Sequence, residues 1–197
     1  MKTSSEKKFL KWIDDHDMGL DERYPDCAVL IFKPNPHIDR FWKTPSEPER
    51  RSYFLSFMLE LMGKWEQCFV WRHMGSWPSK PNSQRINDRV EYLILSGIGL
   101  PMGTADIVEF DRSETDRLVT LLFSTTVFGW SVGEDLYVVP NDAQFIMKTS
   151  HHDVAEIAFR TEQSMMRFVV GMKKEGFTLP DELPDATFKR PDWMTKE

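Results

Sequence analysis

The chain has 197 residues, of which 41% are hydrophobic and 28% charged, and its formal net charge is −6. This composition is typical of a globular protein with its own core, and it excludes fibrous and largely disordered architectures. Basic residues form only short pairs such as Arg50-Arg51 and Lys173-Lys174, so the charge disfavours nucleic acid as a partner and favours a basic protein surface.

The apolar residues are too dispersed for a membrane span, which needs a run of about 18 or more. Residues 1–8 lead into an amphipathic pattern instead of the apolar stretch of a secretory signal, so we expect a cytoplasmic protein without membrane contact. The count of two cysteines excludes a disulfide framework. Cys27 and Cys68 both stand among apolar residues, which indicates buried thiols.

The first segment of the chain carries a helical pattern. Spacing of i, i+3, i+4 and i+7 predicts a helix from Ser5 to about Met18 that docks one face, formed by Phe9, Trp12, Ile13 and His16. The apolar run from Cys27 to Phe32 predicts a buried strand. Four prolines between Pro34 and Pro48 then predict a loop that carries His37, Phe41 and Trp42.

The middle of the chain is expected to hold the central helix. Glu47 to Lys64 is apolar on nearly all sides, which predicts a helix buried at the centre of the fold. Gln67 to Arg72 predicts a strand, followed by a polar loop with Trp77. Asn87-Asp88 then predicts the cap of a short helix whose apolar face would be Val90, Leu93 and Ile94.

One segment fits two structures equally well. Ile107 to Phe110 predicts a strand, and Ser113 with the acidic residues behind it predicts a helix start. The residues that follow, 117–128, contain several β-branched side chains, which suit a strand as well as a helix. The sequence leaves both assignments open.

The C-terminal third has the clearest pattern. Three apolar runs at 135–140, 143–148 and 154–159 predict an antiparallel meander, and Thr161 predicts the cap of a helix that ends at Gly176. Together these patterns predict an α+β fold with an antiparallel or mixed sheet, a C-terminal β-β-β-α unit and helices mainly on one sheet face. We expect one domain over 1–178 and an extended, acidic, proline-containing tail over 179–197.

Two clusters permit enzymatic chemistry. Gly129-Trp130-Ser131-Val132-Gly133 matches the G-x-S-x-G motif of a nucleophile elbow, although a strand is predicted where the elbow needs a helix. His151, His152 and Asp153 could supply acid–base groups or metal ligands, although adjacent strand residues face opposite ways. A small hydrolase or a metal-assisted enzyme is therefore the alternative hypothesis.

The leading hypothesis is a protein-binding module, for example an immunity-type inhibitor of a bacterial toxin or effector. It depends on the acidic charge and on aromatic residues in predicted loops, which commonly anchor interfaces. The expected contact residues are Trp42, Trp77, Trp130 and His37. The expected partner is another protein with a basic surface, a homodimer is a further alternative, and no metal or cofactor is indicated.

Overall fold

The computed structural model describes residues 1–22, 29–33, 38–72, 86–100, 107–127, 135–150 and 153–179, with the backbone alone for 86–91. Within these ranges the chain forms a seven-stranded antiparallel sheet, a two-stranded sheet and five α-helices. The predicted α+β class with an antiparallel sheet is confirmed.

The strands of the large sheet follow the order β1-β6-β5-β7-β8-β9-β4, and β2 pairs with β3 in the small sheet. Their bounds are β1 Lys2–Ser4, β2 Met18–Leu20, β3 Leu30–Phe32, β4 Asp39–Lys43, β5 Gln67–Arg72, β6 Ile107–Asp111, β7 Leu136–Pro140, β8 Phe145–Ser150 and β9 Val154–Phe159. Every pairing in the large sheet is antiparallel. β1 and β4 stand at the two ends of the strand order, so they are the outer strands of this sheet.

Alternate strand residues divide the core between the two faces of the large sheet. The helices α2 Pro48–Leu61, α3 Ile86–Gly97, α4 Thr115–Val127 and α5 Glu162–Lys174 share one core with residues such as Val70, Val138 and Ile157; we call this side the helical face. Helix α1, Glu6–Asp15, and the small sheet share the opposite core with Trp71, Tyr137 and Val139. The helices thus lie mainly on one face, as predicted.

The C-terminal β-β-β-α unit forms where the sequence predicts it. Strands β7, β8 and β9 are sequential neighbours in the sheet, and Ala143 completes the first turn with a left-handed φ of 53°. Thr161 caps α5, because its Oγ1 accepts a hydrogen bond of 3.2 Å from the Ser164 backbone N–H. The helix buries Phe168 and Met172 against the sheet.

The ambiguous segment is a helix, α4. Leu118, Leu121, Leu122 and Thr125 are buried at helical spacing, which gives this helix one continuous inward face that a strand could not present. Its start is set by a capping box between Asp111 and Glu114 around a single 3₁₀ turn, so the predicted start at Ser113 was wrong by two residues. The Glu114 carboxylate also pairs with the Met1 ammonium.

Two sequence predictions were wrong, one for the segment from Pro34 to Pro48 and one for helix α3. The loop expected from Pro34 to Pro48 contains β4, which pairs with β9 and places Trp42 in the core with 1% of its surface exposed. Helix α3 begins before Asn87-Asp88, and it buries Leu95 while Leu93 is 69% exposed. Both errors have one cause: a partner strand or a packed neighbour decided the orientation, and neither is visible in the local pattern.

The Glu114 ion pair predicts an acid-dependent loss of stability. The hydrogen bond from the Met1 ammonium lowers the pKa of Glu114 below its ordinary value, so its stabilising effect is lost as the pH falls through that lowered pKa. With a free Met1 amino group, Glu114→Gln should lower the melting temperature at neutral pH, and the gap to the unsubstituted protein should close in acid. The exposed Glu66→Gln is the control; equal pH profiles for all three proteins would contradict this role.

Cys68 should be unreactive in the folded protein. Its side chain is fully buried, and burial raises the pKa of the thiol well above its ordinary value, so the reactive thiolate does not form near neutral pH. In a Cys27→Ser background, we expect a thiol reagent to label Cys68 only after unfolding in guanidinium. Rapid labelling of the native protein at pH 8 would show that the strand opens readily.

Candidate functional site

Buried polar residues concentrate at one end of the sheet. Among the described residues, the buried polar or charged side chains other than Asp21 and Ser164 lie around the ends of β4, β5, β8, α2 and α4; we call this group the polar end. Its members are Thr44, Arg51, Arg72, Thr125, Thr126, Thr149 and Ser150. Buried polar side chains are uncommon in protein cores, so the polar end is the candidate functional site of this chain.

Arg51 organises the polar end. This residue is 7% exposed, and its guanidinium donates three hydrogen bonds: Nε to the Pro45 carbonyl at 2.7 Å, Nη1 to the Thr126 carbonyl at 3.0 Å and Nη2 to Asp153 Oδ1 at 3.0 Å. Thr126 lies in the last turn of α4, where the helix dipole favours a cation. One side chain therefore joins the β4–α2 connection, the end of α4 and the β8–β9 turn.

Asp153 has a structural position in this network. Its backbone has a left-handed φ of 58°, and its carbonyl accepts a hydrogen bond of 2.8 Å from the Thr44 N–H, which continues the pairing of β9 with β4. Its carboxylate, 51% exposed, is the one that Arg51 binds. Of the predicted cluster, Asp153 alone lies within the described residues; His151 and His152 lie outside them.

On the side of β4 that faces away from β9, the Asp39 carbonyl accepts a hydrogen bond of 2.6 Å from Arg40 Nη1, and the backbone groups of Phe41 and Lys43 have no strand partner within the described part of the chain. The bonds from the Phe159 N–H to the Ile38 carbonyl and from the Thr44 N–H to the Asp153 carbonyl show that even-numbered residues bond to β9. In an antiparallel ladder the intervening residues direct their backbone groups away from the partner. Phe41 and Lys43 therefore present N–H and C=O groups at the sheet edge.

A cavity of about 350 Å³ adjoins this edge on the helical face. It is lined by residues 42–47, Arg50 and residues 176–178. Two of these residues carry buried polar atoms, Trp42 Nε1 and Thr44 Oγ1, that find no hydrogen-bond partner in the described chain. A third such atom, Thr149 Oγ1, lies two strands away on the same face. Each buried unpaired group of this kind costs on the order of 1–3 kcal/mol of stability.

Arg50 is held at the mouth of this cavity. Its guanidinium carbon lies 5.4 Å from the centre of the Phe177 ring, and its Nη2 donates to the Gly176 carbonyl at 3.4 Å. Both contacts orient the side chain without neutralising it, and no described carboxylate pairs with it. The start of α2 beside it also lacks a side-chain cap at Glu47.

The expected contact residues have different outcomes. Trp42 lines the cavity from the core instead of projecting from a loop, so its exposed-anchor role was wrong. His37, Trp77, Trp130 and Ser131 lie outside the described residues. β7 begins at Leu136, so a strand follows the G-x-S-x-G motif, as predicted, where an elbow requires a helix. Among the described residues no group of three or more His, Cys, Asp or Glu side chains could hold a metal.

The sequence analysis missed Thr44, Arg50 and Arg51. The available signal was the Arg50-Arg51 pair at the start of an otherwise apolar helix, which we had treated as a short basic pair without consequence. In a helix these adjacent residues point in different directions, so one can be buried in the core and the other can lie at the surface. The structure assigns them these two different roles.

Removing Arg51 should destabilise the fold more than removing the charge of Asp153. Arg51→Met leaves the Pro45 and Thr126 carbonyls without their donor, and we expect a loss of about 2–4 kcal/mol in the free energy of unfolding. Asp153→Asn tolerates the left-handed backbone and keeps an acceptor oxygen, so its cost should be below about 1 kcal/mol. Urea unfolding of both variants measures this difference; equal losses would mean that the ion pair, and not the carbonyl bonds, supplies the stability.

No protein-family model matches the sequence, and neither a curated protein nor a solved structure matches it. Among the helices of the described residues, none combines the length and the hydrophobicity needed to cross a membrane.

Proposed function

We propose that this chain is a protein-binding module that captures an extended segment of another protein as an additional strand on β4. The observation that carries the proposal is the combination at one place of an unpaired strand edge and an adjoining cavity. Strand addition uses the backbone groups of the edge for affinity and neighbouring pockets for side-chain specificity. Both features lie within a few residues of each other, from Phe41 to Arg50.

The two edges of the sheet differ in a way that supports β4 as the binding edge. At the opposite edge β1 has 3 residues, and its first neighbour Met1 is tied to Glu114 through its ammonium group. Short edge strands of this kind are poor templates for pairing. β4 has 5 residues and is anchored to the polar end through Thr44 and the Arg51 network. A rigid strand loses less entropy on binding than a flexible one.

The net charge of the chain indicates which kind of partner protein it would bind. The net charge of −6 favours association with a protein whose surface is basic overall, because complementary fields accelerate encounter. Inhibition of a toxin or effector in the cytoplasm, in the manner of an immunity protein, is the form of binding that we propose to test first. Strand addition at β4 would then fix the orientation of the partner.

Blocking the strand edge should weaken partner binding without unfolding the protein. Lys43→Pro removes an outward N–H while the β4–β9 bonds stay intact, and proline is tolerated at such edge positions. Loss of one backbone hydrogen bond corresponds to about 3- to 10-fold weaker binding. The control Lys43→Ala removes the same side chain and keeps the N–H. A partner isolated by affinity capture with the full chain should bind Lys43→Pro more weakly than Lys43→Ala, measured by titration calorimetry.

Three results would contradict the proposal. The captured partner could bind both variants equally, which would place the interface elsewhere. The chain could elute alone under every condition tested. It could also form a concentration-dependent dimer that Lys43→Pro abolishes, which would assign the β4 edge to a second copy of the same chain.

If the partner is a toxin, loss of its toxicity in the presence of the full chain identifies the binding as inhibition.

A further inference from the structure

We infer that a second cavity of this protein binds a small aromatic carboxylate, whose ring packs against Phe145 and Phe168 and whose carboxylate binds Lys64 and Arg167. This cavity shares no lining residue with the one beside β4, so the inference goes beyond the proposed strand addition and does not depend on it. Four features of the cavity support it: its size, its aromatic lining, the charges at its rim and the fixed position of its walls.

The size of the cavity suits a single ring. It lies between the C-terminal end of α2, the β7–β8 turn and the first turns of α5, and its volume is about 290 Å³. An apolar cavity of about 150 Å³ in another protein holds benzene, so the larger volume here accommodates one ring with a short acidic side chain. A helix of a partner protein, about 10 Å across with its side chains, does not fit.

The buried part of the lining is mainly aromatic and aliphatic. Phe145 and Phe168 both line the cavity, and their ring centres lie 6.1 Å apart. Leu61 and Met62 add aliphatic surface. Ser164 is the buried polar residue of the lining, but its hydroxyl already donates a hydrogen bond of 2.7 Å to a backbone carbonyl of the α5 cap. Aromatic rings attract one another at centre distances of about 4.5–7 Å, so the two phenylalanines favour a ligand ring.

Two cations from different elements stand at the rim. Lys64 follows α2 and Arg167 lies in α5; both are exposed, and neither has an ion pair or hydrogen bond among the described residues. Asp142 also lines the cavity, and its Oδ1 accepts a hydrogen bond of 3.2 Å from the Gln144 N–H of the same turn. Two cations and one carboxylate leave one positive charge, which a monoanion neutralises. A planar carboxylate also matches the two parallel donors of a guanidinium.

The three walls of the cavity are fixed by hydrogen bonds of the protein itself. Gly63 ends α2 with a left-handed φ of 90°, and its carbonyl accepts a hydrogen bond of 2.5 Å from Arg112 Nη1. In the β7–β8 turn the Ala143 carbonyl accepts a hydrogen bond of 2.8 Å from Arg160 Nε. The third wall, α5, begins at the Thr161 cap. A cavity whose walls are already in place loses less entropy when a ligand binds.

The test titrates the full, isotope-labelled chain with phenylacetate and, in parallel, with the neutral phenylacetamide, and it follows the backbone amide signals by NMR. We expect phenylacetate to shift the signals of residues around this cavity with a Kd on the order of 1 mM, as befits a ligand with so few atoms. Phenylacetamide has the same ring and nearly the same size but no charge, so it should bind about tenfold more weakly.

Substitutions at the rim should act on the carboxylate and spare the ring. Arg167→Gln should weaken phenylacetate binding about five- to tenfold, and Lys64→Gln should weaken it less, because an ammonium group lacks the paired donors of a guanidinium. Both variants should bind phenylacetamide as the unsubstituted protein does. The matched control Lys173→Gln removes an exposed cation of the same helix that lies outside the lining and is unpaired in the described chain. It should change affinity less than about twofold.

The outcomes are distinguishable from those for strand addition. Equal affinities for phenylacetate and phenylacetamide, or equal affinities of Arg167→Gln and Lys173→Gln for phenylacetate, would overturn carboxylate recognition, as would the absence of shifts around the cavity. A peptide with a C-terminal phenylalanine that binds there more tightly than phenylacetate would assign the cavity to a partner protein and overturn the small-molecule ligand. Lys43→Pro lies outside this cavity and should leave phenylacetate binding unchanged. Circular dichroism verifies that each variant is folded.

Discussion

The polar end of this fold depends on the hydrogen bonding of one buried cation, Arg51. Burial removes a guanidinium from water at a cost of several kcal/mol unless its donors are paired. Here the donors meet two backbone carbonyls and one carboxylate, from Pro45, Thr126 and Asp153. Because the three acceptors belong to segments far apart in the sequence, satisfying Arg51 also fixes how the β4–α2 connection, α4 and the β8–β9 turn meet.

This arrangement explains how polar side chains can be buried at the polar end, next to an apolar core. At the centre of the helical face, side chains such as Phe54, Phe110 and Phe168 are almost completely buried in the apolar core. At the polar end, Trp42 and Thr44 keep unpaired polar atoms beside an open cavity. The first region supplies stability through apolar burial, and the second retains buried polar atoms that have no partner in the described chain and therefore lower stability. Arg51 allows the two regions to adjoin, since it holds the polar segments in place through directed bonds.

Much of the fold follows from local sequence. The strands β5, β7, β8 and β9, the central helix α2 and the capped helix α5 were predicted because each carries its own periodicity and its own start or stop residue. Helix α4 could not be separated from a strand in this way. Its β-branched residues fit both, and only the neighbouring α2 and the sheet, which bury Leu118, Leu121 and Leu122, decide for the helix.

The sequence by itself determined the α+β class, the acidic charge and the β-β-β-α unit, because these depend on composition and on contacts between residues near in the chain. Tertiary structure alone decided that residues 39–43 form an edge strand, that Trp42 belongs to the core, and that Arg50 and Arg51 face different surroundings. β4 pairs with β9, which lies more than a hundred residues away, and no local pattern records such a pairing. The candidate site combines residues 42–50 with residues 176–178, which are far apart in the sequence, so it exists only once the chain has folded.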